Sequence, residues 1–230
     1  MAPILDGLPL CLPIAELNGA LITDPRERRP LLCHALDPVV AADVIGWGLE
    51  RRVPPFVTCF VSGQQRLHPP LELPNAGIRW YDRARRQSRD ARLRAACDPR
   101  ALSEVTVLAL TLIAERTVLE PIRAALEAEH AGRANALLSE NPHQPGWFWL
   151  TVQSPFATKA HALRTIAAHA GVSLEQSTVF GDELNDVPMF EIAGRGIAVG
   201  NAAPELKALA HEVIGPHHKD SVIRYLLAAL

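Results

Sequence analysis

The sequence predicts an α/β protein with a parallel-sheet core and a separate α+β unit. Three observations carry that expectation. The last third of the chain alternates short apolar strands with helical segments, the pattern of a parallel sheet covered on both faces. The middle mixes strand-like runs with helices but lacks the regular alternation, which marks a separate α+β unit. The 230 residues, 48% apolar and 21% charged, are enough for one large domain or two modest ones.

In the last third, Leu163, Ile166, Ala167 and Ala170 fall at i, i+3, i+4 and i+7, predicting a helix over 158–170 that ends at Gly171. A strand is expected at 177–180, a helix at 186–193, a strand at 196–199 and a helix at 204–210. A strand at 212–214 and a helix at 219–229 complete the series. In the middle, Asp37 and Pro38 suit the N-cap and first position of a helix reaching about Arg51. Strands are expected at 55–61, 65–68, 77–81, 105–112, 134–138 and 147–152, with a helix at 118–130. Arg83 to Arg94 holds six arginines in twelve positions, read as a solvated helix with Arg85, Arg89 and Arg92 on one face, partly neutralised by Asp82 and Asp90.

The formal charge of −2 gives no global attraction for nucleic acid or an anionic membrane. No apolar run reaches the roughly 18 residues of a membrane helix, and MAPILDGLPL lacks the basic region of a signal peptide, so a cytoplasmic location is expected. Cys11, Cys33, Cys59 and Cys97 form no CxxC pair and are read as buried free thiols. His217 and His218 read as a solvated loop rather than a metal site. There is no GxSxG and no P-loop lysine, and Gly194, Gly196 and Gly200 miss dinucleotide-binding spacing.

The chemistry concentrates in Gly181-Asp182-Glu183-Leu184-Asn185-Asp186, between an apolar strand and a helix. Ligands of open α/β sheets gather at the carboxyl ends of strands. Two carboxylates four residues apart there can hold one hard cation, and magnesium suits them because it takes one or two carboxylates and fills its shell with water and phosphate oxygens. The same letters also describe an acidic helix start with Asp186 as an ordinary N-cap. Lys159, at the start of the preceding helix, adds a cation able to neutralise phosphoryl oxygens.

With these residues in view, the stretch 158–227 resembles the carboxyl-terminal core of Cof-like, capped phosphatases of the haloacid dehalogenase (HAD) superfamily. Lys159 matches the motif-three lysine, Gly181 to Asp186 with Val187-Pro188-Met189 matches motif four, and Ile197 to Ala202 resembles the turn written V-x-x-G-N-A. Near the beginning, Ile14 to Ile22, containing Asn18-Gly19-Ala20, resembles the strand that precedes the family's cap. The resemblance implies a truncated HAD-type, Rossmann-like parallel-sheet core from 1–35 and 152–230, with an α/β cap inserted from 36–151. It implies Asp182 as a magnesium ligand, Asp186 as ligand or support, and Lys159 as clamp for phosphate and nucleophile. Asn18 and Asn185 are implied at the substrate. The reaction implied is hydrolysis of a small phosphorylated metabolite with Mg2+, the cap selecting the substrate.

The family begins with a D-x-D-G-T strand whose first aspartate attacks phosphorus, and this sequence contains no such pattern. Only seventeen residues precede Asn18, so a core truncated at its amino end is expected. Aligning Ile4 to Leu8 with the tail of the motif puts Asp6 in the acid/base place and Ile4, which can neither attack phosphorus nor bind a cation, in the nucleophile's. The other reading makes Asp6-Gly7 an ordinary turn. Three functional readings stand: a magnesium-dependent phosphatase, a non-catalytic ligand-binding descendant, and a shortened reading frame. A homodimer covering an open edge of the core sheet is expected, with residues 2–10 as a candidate substitute strand.

Overall fold

The computed structural model describes residues 8–27, 29–102 and 105–229. Ile4, Asp6 and most of the segment 2–10 lie outside the described residues. The chain divides into two compact units, one running to Leu31 and resuming at Thr158, the other spanning Leu32–Ala157. The crossings fall at 31/32 and 157/158, where the sequence reading places them at 35/36 and 151/152. The second crossing comes late because the turn after the last strand stays with the inserted unit, where Asn135 Nδ2 donates to the Ala157 carbonyl at 3.2 Å.

Strands β1 (Ile14–Glu16), β2 (Leu21–Asp24) and β3 (Arg29–Cys33) form a three-stranded sheet in that order. The inserted unit follows as α1 (Pro38–Glu50), β4 (Phe56–Val61), β5 (Gln64–His68), α2 (Ala76–Gln87), β6 (Thr106–Ala114), α3 (Arg116–Glu129), β7 (Asn135–Glu140) and β8 (Phe148–Gln153). Its strands make one antiparallel sheet in the order β5-β4-β6-β8-β7. Register places Val57, Leu110, Val152 and Ala136 in one row across four strands. With period-two alternation they share a face, and they join Val44, Ile45, Leu119 and Ile122 of the helices in the unit's core. Each buried valine, leucine or isoleucine of this set contributes about 1.5–3 kcal/mol.

The rest is α4 (Lys159–Ala170), β9 (Thr178–Gly181), α5 (Val187–Phe190), β10 (Arg195–Ala198), α6 (Pro204–Leu209), β11 (Glu212–Val213) and α7 (Ser221–Ala229). Here the sheet is parallel, in the order β11-β10-β9. Val179, Phe190, Ala198, Val199 and Leu206 form the core beneath it. The mixed α/β class with a parallel-sheet core and an inserted α+β unit is the one expected from the sequence.

Three expectations need correction. Residues 77–81 are the first turns of α2, not a strand: Asn75 caps the helix, accepting from the Ile78 amide at 2.8 Å, and its Nδ2 donates to the Ile113 carbonyl at 2.8 Å. The Arg83–Arg94 segment is not one helix. α2 stops at Gln87, Arg89 takes a left-handed conformation (φ 51°), and Asp90 gathers Arg92 at 2.8 Å and Arg85 at 3.7 Å. The four cysteines are free, but only Cys59 is buried, with Cys97 intermediate and Cys11 and Cys33 exposed. Burial pushes the Cys59 thiol up, away from nucleophilic reactivity. Among the described residues no helix is long and apolar enough to cross a membrane.

Candidate active site

The site belongs to the unit that holds the parallel sheet and is built at the end of β9. Gly181 closes that strand, and a Cβ there would stand 2.8 Å from the Asp186 carboxylate, so the missing side chain makes room for the loop to fold back. Residues Leu184–Asp186 form a single 3-10 turn leading into α5. The expected helix over 186–193 is therefore shorter, confined to Val187–Phe190 with Pro188 in its first turn.

Asp186 is 2% exposed and its carboxylate is fully engaged. Oδ1 accepts from Lys159 Nζ at 2.6 Å, and Oδ2 accepts the backbone N–H groups of Asp182 at 3.0 Å and Glu183 at 3.1 Å. A carboxylate so saturated with charge-assisted bonds is a fixed strut. Asp182 differs. Its N–H is held by Asp186 and its carbonyl accepts from the Ala203 amide at 2.8 Å, while its half-exposed carboxylate has no partner among the described residues.

Lys159 is the first residue of α4. Thr158 caps the helix, its hydroxyl accepting from the His161 amide at 3.1 Å, and Gly171 ends it in the left-handed region (φ 69°). The lysine side chain keeps 34% of its exposure, so one end of the Lys159–Asp186 pair faces solvent and the other does not.

The turn between β1 and β2 supplies a third wall. Leu17, Asn18 and Gly19 have φ of 53°, 57° and 100°, three left-handed residues in a row. Gly19 lets this turn nest on the start of α4, since a Cβ would meet the Thr158 carbonyl at 2.9 Å. Asn18 Oδ1 then accepts a hydrogen bond from Asn185 Nδ2 at 3.1 Å, across 167 residues of sequence. The other side-chain atom of Asn185, Oδ1, is buried without a partner.

Lys159, Asp186, Asp182, Asn185 and Asn18 are thus brought to one place. The sequence named each of them but not the Asn18–Asn185 bond, for which no local signal exists. Among the described residues no group of three or more His, Cys, Asp or Glu side chains comes together. The open carboxylate of Asp182 is a hard oxygen donor that fits a largely hydrated magnesium ion, and the carbonyl oxygen of Asn185 in the same turn is an acceptor without a donor.

A family model described as haloacid dehalogenase-like hydrolase matches residues 1–226. Among curated relatives, the chain is 39% identical over 79 residues to an HMP-PP phosphatase of Cronobacter sakazakii, a stretch covering 34% of this chain and 29% of the relative. It is 43% identical over 60 residues to the pyridoxal phosphate phosphatase YbhA of Escherichia coli, covering 26% of this chain and 22% of that one. The matched stretches span between 20% and 59% of the relatives' lengths. Among solved structures, a haloacid dehalogenase-like hydrolase from Bacillus subtilis superposes with a TM-score of 0.72 at 23% identity, covering 95% of this chain and 80% of that one. A second, from Bacteroides thetaiotaomicron, has a TM-score of 0.72 at 18% identity over 93% of this chain and 74% of its own. These two likenesses establish the fold.

Proposed function

The chain belongs to the haloacid dehalogenase-like hydrolase family, and from that membership we propose that its site binds a small phosphorylated metabolite together with Mg2+. The observation that carries this reading is the Lys159–Asp186 contact at 2.6 Å, which joins the start of α4 to the loop after β9. Asp186 fixes the ammonium group of Lys159 by one oxygen and the backbone of Asp182 by the other, so both working groups are placed by one buried carboxylate. Lys159, one-third exposed, neutralises phosphoryl oxygens. Asp182 holds the cation, which when bound draws charge from the phosphoryl oxygens.

A second reading rests on the same contacts: Asp186 is committed to Lys159 and two backbone amides, and the pocket binds phosphate esters without hydrolysing them. Two measurements on the full chain separate the readings: release of p-nitrophenol from p-nitrophenyl phosphate with magnesium, and calorimetric binding of inorganic phosphate with magnesium. Turnover that Asp182→Ala abolishes supports the phosphatase. Binding without turnover, lost in Asp182→Ala and Lys159→Ala, supports the binding protein. Neither binding nor turnover sinks both.

A further inference from the structure

We infer that Asn18 is a positioning residue, which fixes the side-chain amide of Asn185 so that Asn185 Oδ1 accepts a hydrogen bond from a water molecule of the bound magnesium ion. The inference rests on the reading of Asp182 as the cation's holder.

Three observations carry it. The first is strain. Leucine disfavours positive φ, yet Leu17 adopts it beside Asn18, whose side chain tolerates it, and a left-handed leucine persists where surrounding structure holds it. The second is what the strained turn achieves: it delivers Asn18 Oδ1 to 3.1 Å from Asn185 Nδ2. An amide offers a donor end and an acceptor end, and engaging the donor end decides where the acceptor end lies. The third is the state of that acceptor. Asn185 Oδ1 is buried and unpartnered, in the turn between Asp182 and Asp186. A buried acceptor without a donor is costly, and a protein retains one where a ligand supplies the missing hydrogen.

The identity of that donor follows from its neighbours. Lys159 Nζ is already 2.6 Å from Asp186, and the Asp182 and Glu183 amides are directed at the same carboxylate. A phosphoryl oxygen at neutral pH is an acceptor and would face Asn185 Oδ1 oxygen to oxygen. A hydrogen-bond donor is needed there. Magnesium keeps several waters, polarised into strong donors, when one carboxylate holds it, and Asp182 is that carboxylate.

Magnesium binding is measured by titration calorimetry on the full chain without substrate, and the melting temperature of each variant is recorded without magnesium. Asn18→Gly keeps the left-handed backbone without strain and removes the acceptor that orients Asn185; its magnesium affinity is expected to fall about three- to tenfold, the worth of one hydrogen bond. Asn18→Asp keeps an oxygen for Asn185 Nδ2 and is expected to retain affinity. Asn185→Leu should lose as much as Asn18→Gly, and the double variant no more than either, because both changes delete the same bond. Wild-type affinity in Asn18→Gly, or additive losses in the double variant, overturns the inference. So does a loss equally large in Asn18→Asp. Asp182→Ala separates this inference from its premise: if Asn18→Gly is silent while Asp182→Ala abolishes binding, only the positioning role fails. If Asp182→Ala binds as the unsubstituted chain does, or the unsubstituted chain takes up no magnesium, the premise fails with it.

Discussion

Replacing Asp186 by alanine removes a carboxylate that is 3% exposed and leaves three donors facing a small void. Breaking a buried ion pair by deleting one partner costs about 3–5 kcal/mol. Lys159 retains 34% exposure and can turn toward water, which lowers its share. The amides of Asp182 and Glu183 are only partly buried and recover some hydration. The net expectation is a loss of about 2–4 kcal/mol, a large fraction of the 5–15 kcal/mol that typically separates folded from unfolded domains. Asp186→Asn should lose nearly as much, because its single carbonyl oxygen can serve the lysine or the two amides but not both. Urea denaturation followed by circular dichroism gives the magnitude, and hydrogen exchange gives the place. The tryptophans at 47, 80, 147 and 149 all lie in the inserted unit, so tryptophan fluorescence reports that unit and not the altered one. A loss below about 1 kcal/mol would mean that Asp186 is not the strut described. Asp182 and Glu183 amides exchanging as slowly in Asp186→Ala as in the unsubstituted chain would mean the same.

Three further outcomes are expected. Arg92 beside Asp90 holds that carboxyl below the usual aspartate range, so its stabilising contribution is complete above the unfolded pKa, about 4, and is lost as pH falls through the lower folded value; the gap in urea midpoint between the unsubstituted chain and Asp90→Asn should be present at pH 6 and close toward pH 3, and a constant gap would contradict the pairing. At Gly77 a Cβ would meet the Trp147 ring at 2.4 Å and Ile113 at 2.9 Å, so Gly77→Ala should cost about 1–3 kcal/mol by denaturant titration despite alanine's better helix propensity, and a stabilised variant would show the contact to be slack. On the proposed reading Lys159 shares its charge between Asp186 and a phosphoryl group while Asp182 stays unpaired, so a cation at Asp182 lowers the repulsion that phosphate meets; calorimetry should show phosphate affinity rising with magnesium, and equal affinity in a chelator refutes that balance.

The elements most legible in the sequence were those with a chemical stop or start. Asp37 and Pro38 open α1 where expected, with Asp37 accepting from the Val39 amide at 2.9 Å, and Gly171 ends α4 by adopting a conformation that costs other residues strain. The start of α2 misled because Ile78, Trp80 and Tyr81 have strand-like composition, and the decisive letter was the cap at Asn75. Asn75 satisfies the helix by its oxygen and β6 by its nitrogen, a tertiary fact that composition does not carry. The arginine segment misled differently: periodicity describes a helix only while the backbone stays helical, and the chain leaves that state at Ser88–Arg89.

The same limit governs the site. The spacing of Asp182 and Asp186 announces two carboxylates at one turn, but spacing says nothing about which one the backbone captures, so Asp186 stands in the sequence reading as either ligand or support. The capture is decided by Gly181, whose missing Cβ leaves Asp186 room to reach back, and by the 3-10 turn that aims the Asp182 and Glu183 amides at a single oxygen. Once Asp186 is spent on two amides and a lysine, its charge and lone pairs are committed within the fold. On the proposed reading a cation is left to Asp182 and water, and the Asn18–Asn185 bond, invisible to any local pattern, acquires its significance from that shortage.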